Sequence, residues 1–178
     1  MQSLRNALAV CLTVLPGFAA AQQAAAHPVA DALHDAFQEA QQNLVAAMQE
    51  FPADKYGYKP TPAQQSVGEI ALHLAGGNTF LCASISGKER PTWPKLEPTA
   101  PKDTLIARLK ASFDWCGTVL ASVDDSKLGE MVPWFGPKPV TRATAIVAIA
   151  QDWADHYSQL ANYLRLNGLL PPTATKSE

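Results

Sequence analysis

The chain has 178 residues, of which 47% are hydrophobic and 17% charged, and its formal net charge is −2. This length suits one domain with its own apolar core, and the high apolar content with a small net charge excludes a mainly disordered protein. Fourteen basic residues against sixteen acidic ones, with no basic run, disfavour a nucleic-acid partner, and no apolar segment is long enough for a membrane span in the mature chain.

The first 21 residues have the pattern of a secretory signal peptide. Arg5 precedes an apolar run over 7–15, and Ala19 and Ala21 then fit the small-x-small rule of signal peptidase. A buried N-terminal helix is disfavoured by the abrupt change to glutamine and alanine after this run, and a lipoprotein signal ending at Cys11 would cut the run short.

Cleavage after the signal peptide predicts the location and the domain organisation of the protein. Residues 1–21 would be removed, 22–172 would form a single domain, and 173–178 would be a loose C-terminal tail. We expect the mature protein to be periplasmic or secreted.

Four amphipathic helices are predicted in the mature chain, and no segment shows the alternation of a strand. Apolar residues recur at three- and four-residue spacings in each helix, and proline-rich connections separate the helices. Ser66 with Glu69 has the pattern of a capping box, and Gly168 fits a helix C-terminus. The predicted helices run over 28–50, 66–87, 102–123 and 141–167. The fold class is therefore an all-α four-helix bundle, either antiparallel or with crossover connections.

Two cysteines remain after removal of the signal peptide. Cys82 lies on the second predicted helix and Cys116 on the third. An oxidising compartment favours a disulfide between them, but two separate buried thiols are equally compatible with the sequence.

The fourth helix carries a carboxylate and an imidazole at the edge of its apolar stripe. His156 borders the stripe, and Asp152 lies one turn earlier on the same side. Residues at this spacing have Cβ atoms about 6 Å apart, so both side chains could bind one metal ion. Gln159, one turn further on, could face a metal-bound water or simply pack.

On the second helix, His73 also lies beside an apolar stripe, and Gly76 and Gly77 follow it in mid-helix. Glycine is unfavourable there, so the pair indicates close approach of another helix or of a ligand. Taken alone, each feature has a more ordinary interpretation: a hydrogen-bonded core histidine, or a helix ion pair between Asp152 and His156. His27 and His34 are predicted to lie at the surface.

Two segments resemble the motifs of the DinB-like family of metal-binding four-helix bundles. The first is 58–75, YKPTPAQQSVGEIALHLA, and the second is 152–172, DWADHYSQLANYLRLNGLLPP. The resemblance extends over 29–172. It implies a divalent metal, commonly nickel or zinc, held by a histidine on the second helix and a His-x-x-x-His pair on the last. Some relatives are thiol-dependent transferases or isomerases, and many have no known reaction.

Carried over to this chain, the resemblance assigns His73, Asp152 and His156 to the metal site, with Asp152 where the family has a histidine. Asp152 could still ligate, which gives a two-histidine, one-carboxylate set that suits zinc or nickel and also occurs with iron. Alternatively, the site has decayed and an Asp–His hydrogen bond remains. We favour retained metal because a carboxylate is a competent ligand.

The resulting functional hypothesis is an exported metal-dependent hydrolase or transferase with an unidentified small-molecule substrate. Export disfavours the family's thiol-transferase role, because low-molecular-weight thiols are abundant in the cytosol. The alternative is a non-catalytic metal-binding or stress-associated bundle. An open pocket with further polar groups beside His73 and His156 would favour the enzyme. The resemblance also makes a homodimer plausible.

Overall fold

The computed structural model describes residues 26–175, so the predicted signal peptide, Cys11 and residues 176–178 lie outside the described part. The described chain forms four long helices and one short hairpin. In chain order these are α1 Pro28–Glu50, α2 Val67–Ser86, α3 Lys102–Leu120, the hairpin strands β1 Met131–Val132 and β2 Val140–Thr141, and α4 Arg142–Leu166. The predicted all-α four-helix bundle is confirmed. None of the described helices is long and apolar enough to cross a membrane.

Capping side chains fix the start and the end of α2 and the start of α4. The backbone N–H of Glu69 donates to Ser66 Oγ, and the backbone N–H of Ser66 donates to a Glu69 carboxylate oxygen, which is the predicted capping box. Gly87 ends α2 at a φ of 71°, a conformation that glycine adopts without strain. Thr141 caps α4 by accepting the backbone N–H of Thr144.

Helix α3 ends at Leu120, three residues before the predicted end at Val123. The chain leaves the helix there and brings Asp125 to the first turn of α1, where its carboxylate accepts the backbone N–H groups of Val29 and Ala30. These N–H groups have no partner within α1, and a carboxylate also suits the positive end of the helix dipole.

The helices pack so that consecutive α1 and α2 lie at opposite corners of the bundle. Helix α1 packs against α3 and α4, and α2 packs against the same two helices. The bundle is therefore of the crossover type, and α2 and α4 are direct neighbours. Trp153 lies at its centre and donates its indole N–H to the Asn78 side chain, which in turn donates to Ser112 Oγ.

A disulfide joins Cys82 on α2 to Cys116 on α3, with Cα atoms 5.5 Å apart. This separation is typical of disulfide-bonded cysteines. The structure thus selects the disulfide from the two arrangements that the sequence left open.

The connection between α3 and α4 contains the hairpin, which the sequence did not predict. Met131 pairs with Thr141 and Val132 with Val140 in an antiparallel ladder. Two residues per strand are too few to produce a readable alternation of polar and apolar residues. The hairpin loop rests on α2, because the Phe135 ring stacks on Phe80 with centroids 4.1 Å apart.

Candidate metal centre

Three predicted ligands, one from α2 and two from α4, meet on one side of the bundle. His73 Nε2 lies 3.4 Å from Asp152 Oδ1, and His156 Nε2 lies 3.5 Å from the same oxygen. The two imidazole rings are 4.6 Å apart between centroids. One ligand atom from each residue lies within 4.8 Å of the others, so these side chains could hold one metal ion.

Two of the three spacings among these atoms match those around a small divalent cation, and the third is within 4.8 Å. A tetrahedral zinc ion with bonds of about 2.0–2.1 Å separates neighbouring ligand atoms by about 3.3–3.4 Å. The two imidazole-to-carboxylate distances of 3.4 and 3.5 Å are close to that value. Imidazole nitrogen and carboxylate oxygen are both zinc ligands, so the residues present fit the metal that the sequence predicts.

A chain of hydrogen bonds fixes the orientation of the His156 ring. Tyr163 donates its hydroxyl proton to the Gln65 backbone carbonyl at 3.0 Å, so its oxygen accepts from the Gln159 amide nitrogen at 3.3 Å. The Gln159 amide oxygen therefore points the other way, toward His156 Nδ1 at 3.1 Å. An oxygen acceptor at this position requires a proton on Nδ1.

This orientation leaves His156 Nε2 facing the Asp152 carboxylate. In a neutral ring with its proton on Nδ1, Nε2 carries a lone pair, and a lone pair repels a carboxylate oxygen. A proton on Nε2 or a cation between the two groups removes the repulsion. Outer hydrogen bonds of this type are the usual means of orienting a metal-binding histidine.

The pKa shifts of Asp152 and His156 also favour opposite charges on the two side chains. Burial acts to raise the pKa of Asp152, but hydrogen bonds with His156 and His73 outweigh it and lower that pKa to about 2. Burial acts to lower the pKa of His156, and the hydrogen bonds with Asp152 and Gln159 reverse the effect and raise it. Asp152 is therefore a carboxylate at neutral pH, which is the form that binds a cation.

The second oxygen of Asp152 lies against Gly77 of α2. This Oδ2 atom is buried and has no hydrogen-bond partner in the described part of the chain. A Cβ atom at position 77 would lie 3.2 Å from it, whereas a Cβ at Gly76 would meet nothing within 4 Å. The predicted close approach at the glycine pair is thus made by α4 at Gly77, and Gly76 faces open space.

The centre is open to solvent on one side. The His73 side chain is 46% exposed, and that of His156 is 9% exposed. A cavity of about 410 Å³ adjoins His73 and Asp152, and apart from these two its lining is apolar or glycine: Leu72, Gly76, Gly77, Leu81, Phe135 and Ala148. Small molecules can therefore reach the cluster from the His73 side.

Residues 36–160 match the sequence profile of the DinB superfamily. The chain belongs to the DinB superfamily. No curated protein matches it. The family assignment agrees with the resemblance found in the two motifs, and the DinB-like family is metal-binding.

Solved structures show that the DinB-like fold extends over most of the chain. A DinB-like protein from Bacillus subtilis, YjoA, has a TM-score of 0.62 and 17% identity, with 77% of this chain and 92% of that chain covered. A DinB-like protein from Bacillus cereus has a TM-score of 0.65 and 13% identity, with 80% of this chain and 95% of that chain covered. A conserved protein from Enterococcus faecalis has a TM-score of 0.63 and 17% identity, with 78% of this chain and 96% of that chain covered. At these identities the likeness establishes the fold alone.

The remaining histidines of this DinB-superfamily chain lie outside the cluster. His27 is exposed, as predicted. His34 is half-buried, and its Nε2 lies 3.2 Å from the Leu120 carbonyl oxygen, so the prediction of a surface position holds only in part.

Sequence reasoning missed the outer hydrogen bonds of the site. Gln159 contacts the His156 ring and the Tyr163 hydroxyl, which were not predicted from the sequence, and its contact with a metal-bound water stays a prediction. The roles of Tyr163 and Gln65 were not predicted. The signal for part of this chain was present, because Gln159 and Tyr163 follow His156 at spacings of three and then four residues, which places all three on one helix face.

Replacing Gly77 with alanine is expected to weaken metal binding about 10-fold, a loss of the size seen when the surroundings of a ligand are disturbed. The new methyl group would press on Asp152 Oδ2, which must then move by a few tenths of an ångström. Gly76→Ala is the matched control, since both changes add up to about 1 kcal/mol of helix propensity. Zinc titration calorimetry and urea unfolding measure both effects. Equal zinc affinities in the two variants would contradict the contact.

Replacing Gln159 with leucine is expected to lower metal affinity about 10- to 100-fold without removing a ligand, because the His156 ring loses the acceptor that orients it. Competition with a chromophoric zinc chelator measures the change. Gln151→Leu, at an exposed position of the same helix, is the control. An affinity equal to that of the control would show that the hydrogen bond does not support the site.

Proposed function

We propose that the protein binds one divalent transition metal through His73, Asp152 and His156 and acts as a metal-dependent hydrolase or transferase on a small molecule. The observation that carries the proposal is the convergence of two imidazoles and one carboxylate, with His156 oriented from outside, beside an open cavity.

Zinc and nickel are the metals that we expect, with iron as the alternative. Imidazole nitrogen suits all three, and a single carboxylate with two histidines leaves coordination positions free for water or substrate. The absence of a thiolate from the described cluster makes a copper(I) site a poor fit.

A bound zinc-class ion would supply Lewis-acid chemistry, polarising a carbonyl or phosphoryl oxygen and making water more acidic. The chain's own residues provide the rest. Asp152 would neutralise part of the charge of such an ion, while Gln159 and Tyr163 hold the His156 ring in place. The largely apolar cavity beside His73 would hold the substrate next to the ligand set.

A metal-binding bundle without catalysis is the second candidate. The cavity lining favours it, since His73 and Asp152 are the polar side chains there and both already belong to the ligand set. An enzyme with this cavity must perform its chemistry at the metal, with no separate acid or base among the lining residues.

Elemental analysis of the protein purified without an affinity tag tests the proposal. We expect one transition-metal ion per chain, and turnover of p-nitrophenyl esters or phosphates that ceases when a chelator removes the metal. Stoichiometric metal without turnover of any substrate in the panel would favour the non-catalytic bundle. Protein without metal that also fails to bind added zinc or nickel would overturn the proposal.

Replacing Asp152 with alanine is expected to lower zinc affinity by more than about 100-fold, since removing a ligand should cost more than removing an outer hydrogen bond. The variant keeps both histidines, so it tests the position at which this chain departs from the His-x-x-x-His pattern. Titration calorimetry gives affinity and stoichiometry. Asp155→Ala is the control, because Asp155 is an exposed carboxylate three residues further along α4. Unchanged binding in Asp152→Ala would exclude Asp152 as a ligand.

We also propose that the protein is exported and cleaved after residue 21. The Cys82–Cys116 disulfide supports this, because such bonds persist mainly in oxidising compartments. Mass spectrometry of the native protein should give a chain that begins at Gln22. An intact N-terminus in the cytosolic fraction would contradict export. The predicted homodimer would be tested on the same sample by light scattering.

A further inference from the structure

A second cavity lies on α2 next to the one at the metal centre. It has a volume of about 200 Å³ and is lined by Leu72, Ala75, Gly76, Thr79, Phe80, Arg90, Trp93 and Arg108. Leu72 and Gly76 line both cavities. The two cavities therefore adjoin at Gly76, which has no side chain and faces open space, and we refer to both together as the groove along α2.

Two arginines form the far end of this groove, and each lies over the face of an aromatic ring at cation–π distance. The Arg90 guanidinium lies 5.4 Å from the centroid of the Phe80 ring, and that of Arg108 lies 5.3 Å from the centroid of the Trp93 ring. Trp93 is itself held by a hydrogen bond to Thr79. A cation–π contact of this kind uses no N–H group of the guanidinium, so these groups stay available for other partners.

Neither arginine forms a salt bridge with an acidic residue in the described part of the chain. Arg108 uses one N–H group on the Pro94 carbonyl, and Arg90 makes no hydrogen bond to a described residue. The groove therefore has two arginines without an ion pair in the described part of the chain at one end, and a metal-binding cluster at the other. Between them its lining is apolar apart from Thr79, whose hydroxyl is already bonded to Trp93 and to the Ala75 carbonyl.

We infer that the groove binds an elongated apolar molecule whose carboxylate pairs with Arg90 and Arg108 and whose opposite end reaches the metal centre. This assignment of a substrate class rests on the proposed function. Phe80 lies seven residues beyond His73 on α2, which corresponds to about 10 Å along the helix. A substrate of medium chain length spans that distance.

A carboxylate fits the arginine end better than a phosphate does. A guanidinium has planar N–H edges, and a planar carboxylate matches such an edge with two parallel hydrogen bonds. The pocket around them is largely apolar, and a singly charged carboxylate loses less hydration on entering it than a phosphate dianion.

Titration of the metal-free protein with octanoate tests the arginine end, with octanamide and octyl phosphate as probes of the charge. We expect octanamide to bind about 10-fold or more weakly than octanoate, and Arg90→Gln, alone or with Arg108→Gln, to lose octanoate affinity to a similar extent. Arg165→Gln, at an exposed position on α4, is the matched control. Equal binding of octanoate and octanamide, or tighter binding of octyl phosphate, would overturn the assignment without reference to any variant.

Paramagnetic relaxation in the Co²⁺-loaded protein tests the direction of binding. The terminal methyl protons of octanoate should relax faster than the protons at C2, because the methyl end lies nearer the metal. Gly76→Leu should block the groove and remove this relaxation. Faster relaxation at C2 would mean that the carboxylate binds the metal, which overturns the inference.

The two proposals fail in different ways. Loss of octanoate selectivity in a protein that still binds zinc overturns the inference and leaves the proposed function intact. If the protein binds neither zinc nor Co²⁺ but its octanoate binding still depends on Arg90, the proposed function is overturned. The inference that the bound molecule extends to the metal is then overturned with it.

Discussion

Replacing His73 with alanine is expected to lower zinc affinity by more than about 100-fold, because it removes a ligand. His73 is the ligand that α2 contributes, so its removal leaves Asp152 and His156 as a two-residue site on α4 alone. Its side chain is 46% exposed, so the substitution should leave the fold intact. Titration calorimetry with zinc measures the affinity, and circular dichroism checks the helix content.

His27→Ala is the control for this substitution, because it removes an exposed histidine outside the cluster. We expect it to bind zinc like the wild type. Wild-type affinity in His73→Ala as well would show that the metal is bound elsewhere, and the proposed function would lose its basis.

Replacing both Cys82 and Cys116 with alanine is expected to lower the free energy of unfolding by roughly 4 kcal/mol. The bond closes a loop with a sequence separation of 34 residues, and the loss of chain entropy in the unfolded state accounts for an effect of this size. Both cysteines are fully buried between α2 and α3, so the lost packing adds to it. Urea unfolding under oxidising conditions measures the difference.

A reductant separates the effect of the bond from that of the packing. A phosphine reductant should lower the free energy of unfolding of the wild type and leave that of the double alanine variant unchanged. If the wild type is equally stable with and without reductant, and free thiols are absent in the native protein, the bond does not stabilise the fold. If thiol titration finds two free thiols before reductant is added, the disulfide itself is contradicted.

The helices could be predicted from the sequence because their signals are local. The predicted bounds of α1 agree with the structure, and Ser66 and Thr141 act as the caps that their neighbours indicated. Periodicity also placed His156 at the edge of the apolar stripe of α4, where the structure has it buried beside the half-buried Asp152.

Features that depend on partners distant in the chain could not be predicted in the same way. Asp125, shortly after the end of α3, caps α1 across a separation of 96 residues, a contact that no local pattern indicates. Likewise, the proton position on His156 is determined by the Gln65 carbonyl through Tyr163 and Gln159, and nothing local to Gln65 indicates it.

The meeting of α2 and α4 at the candidate site has an intermediate status. The residue types at 73, 152 and 156 were identified in the sequence, and the resemblance to DinB-like proteins supplied the expectation that they converge. Periodicity alone predicted on which face of its own helix each residue lies, but it predicted no distance between the helices. That distance depends on the packing of α2 beside α4, which allows Asp152 to approach Gly77.

An anomalous difference map at the zinc absorption edge, from crystals grown with equimolar zinc and without an affinity tag, tests the central claim most directly. We predict one peak per chain, about 2.0–2.2 Å from a ring nitrogen of His73, a carboxylate oxygen of Asp152 and Nε2 of His156. A peak at another group of residues, or no peak while these three side chains keep their positions, would contradict the claim.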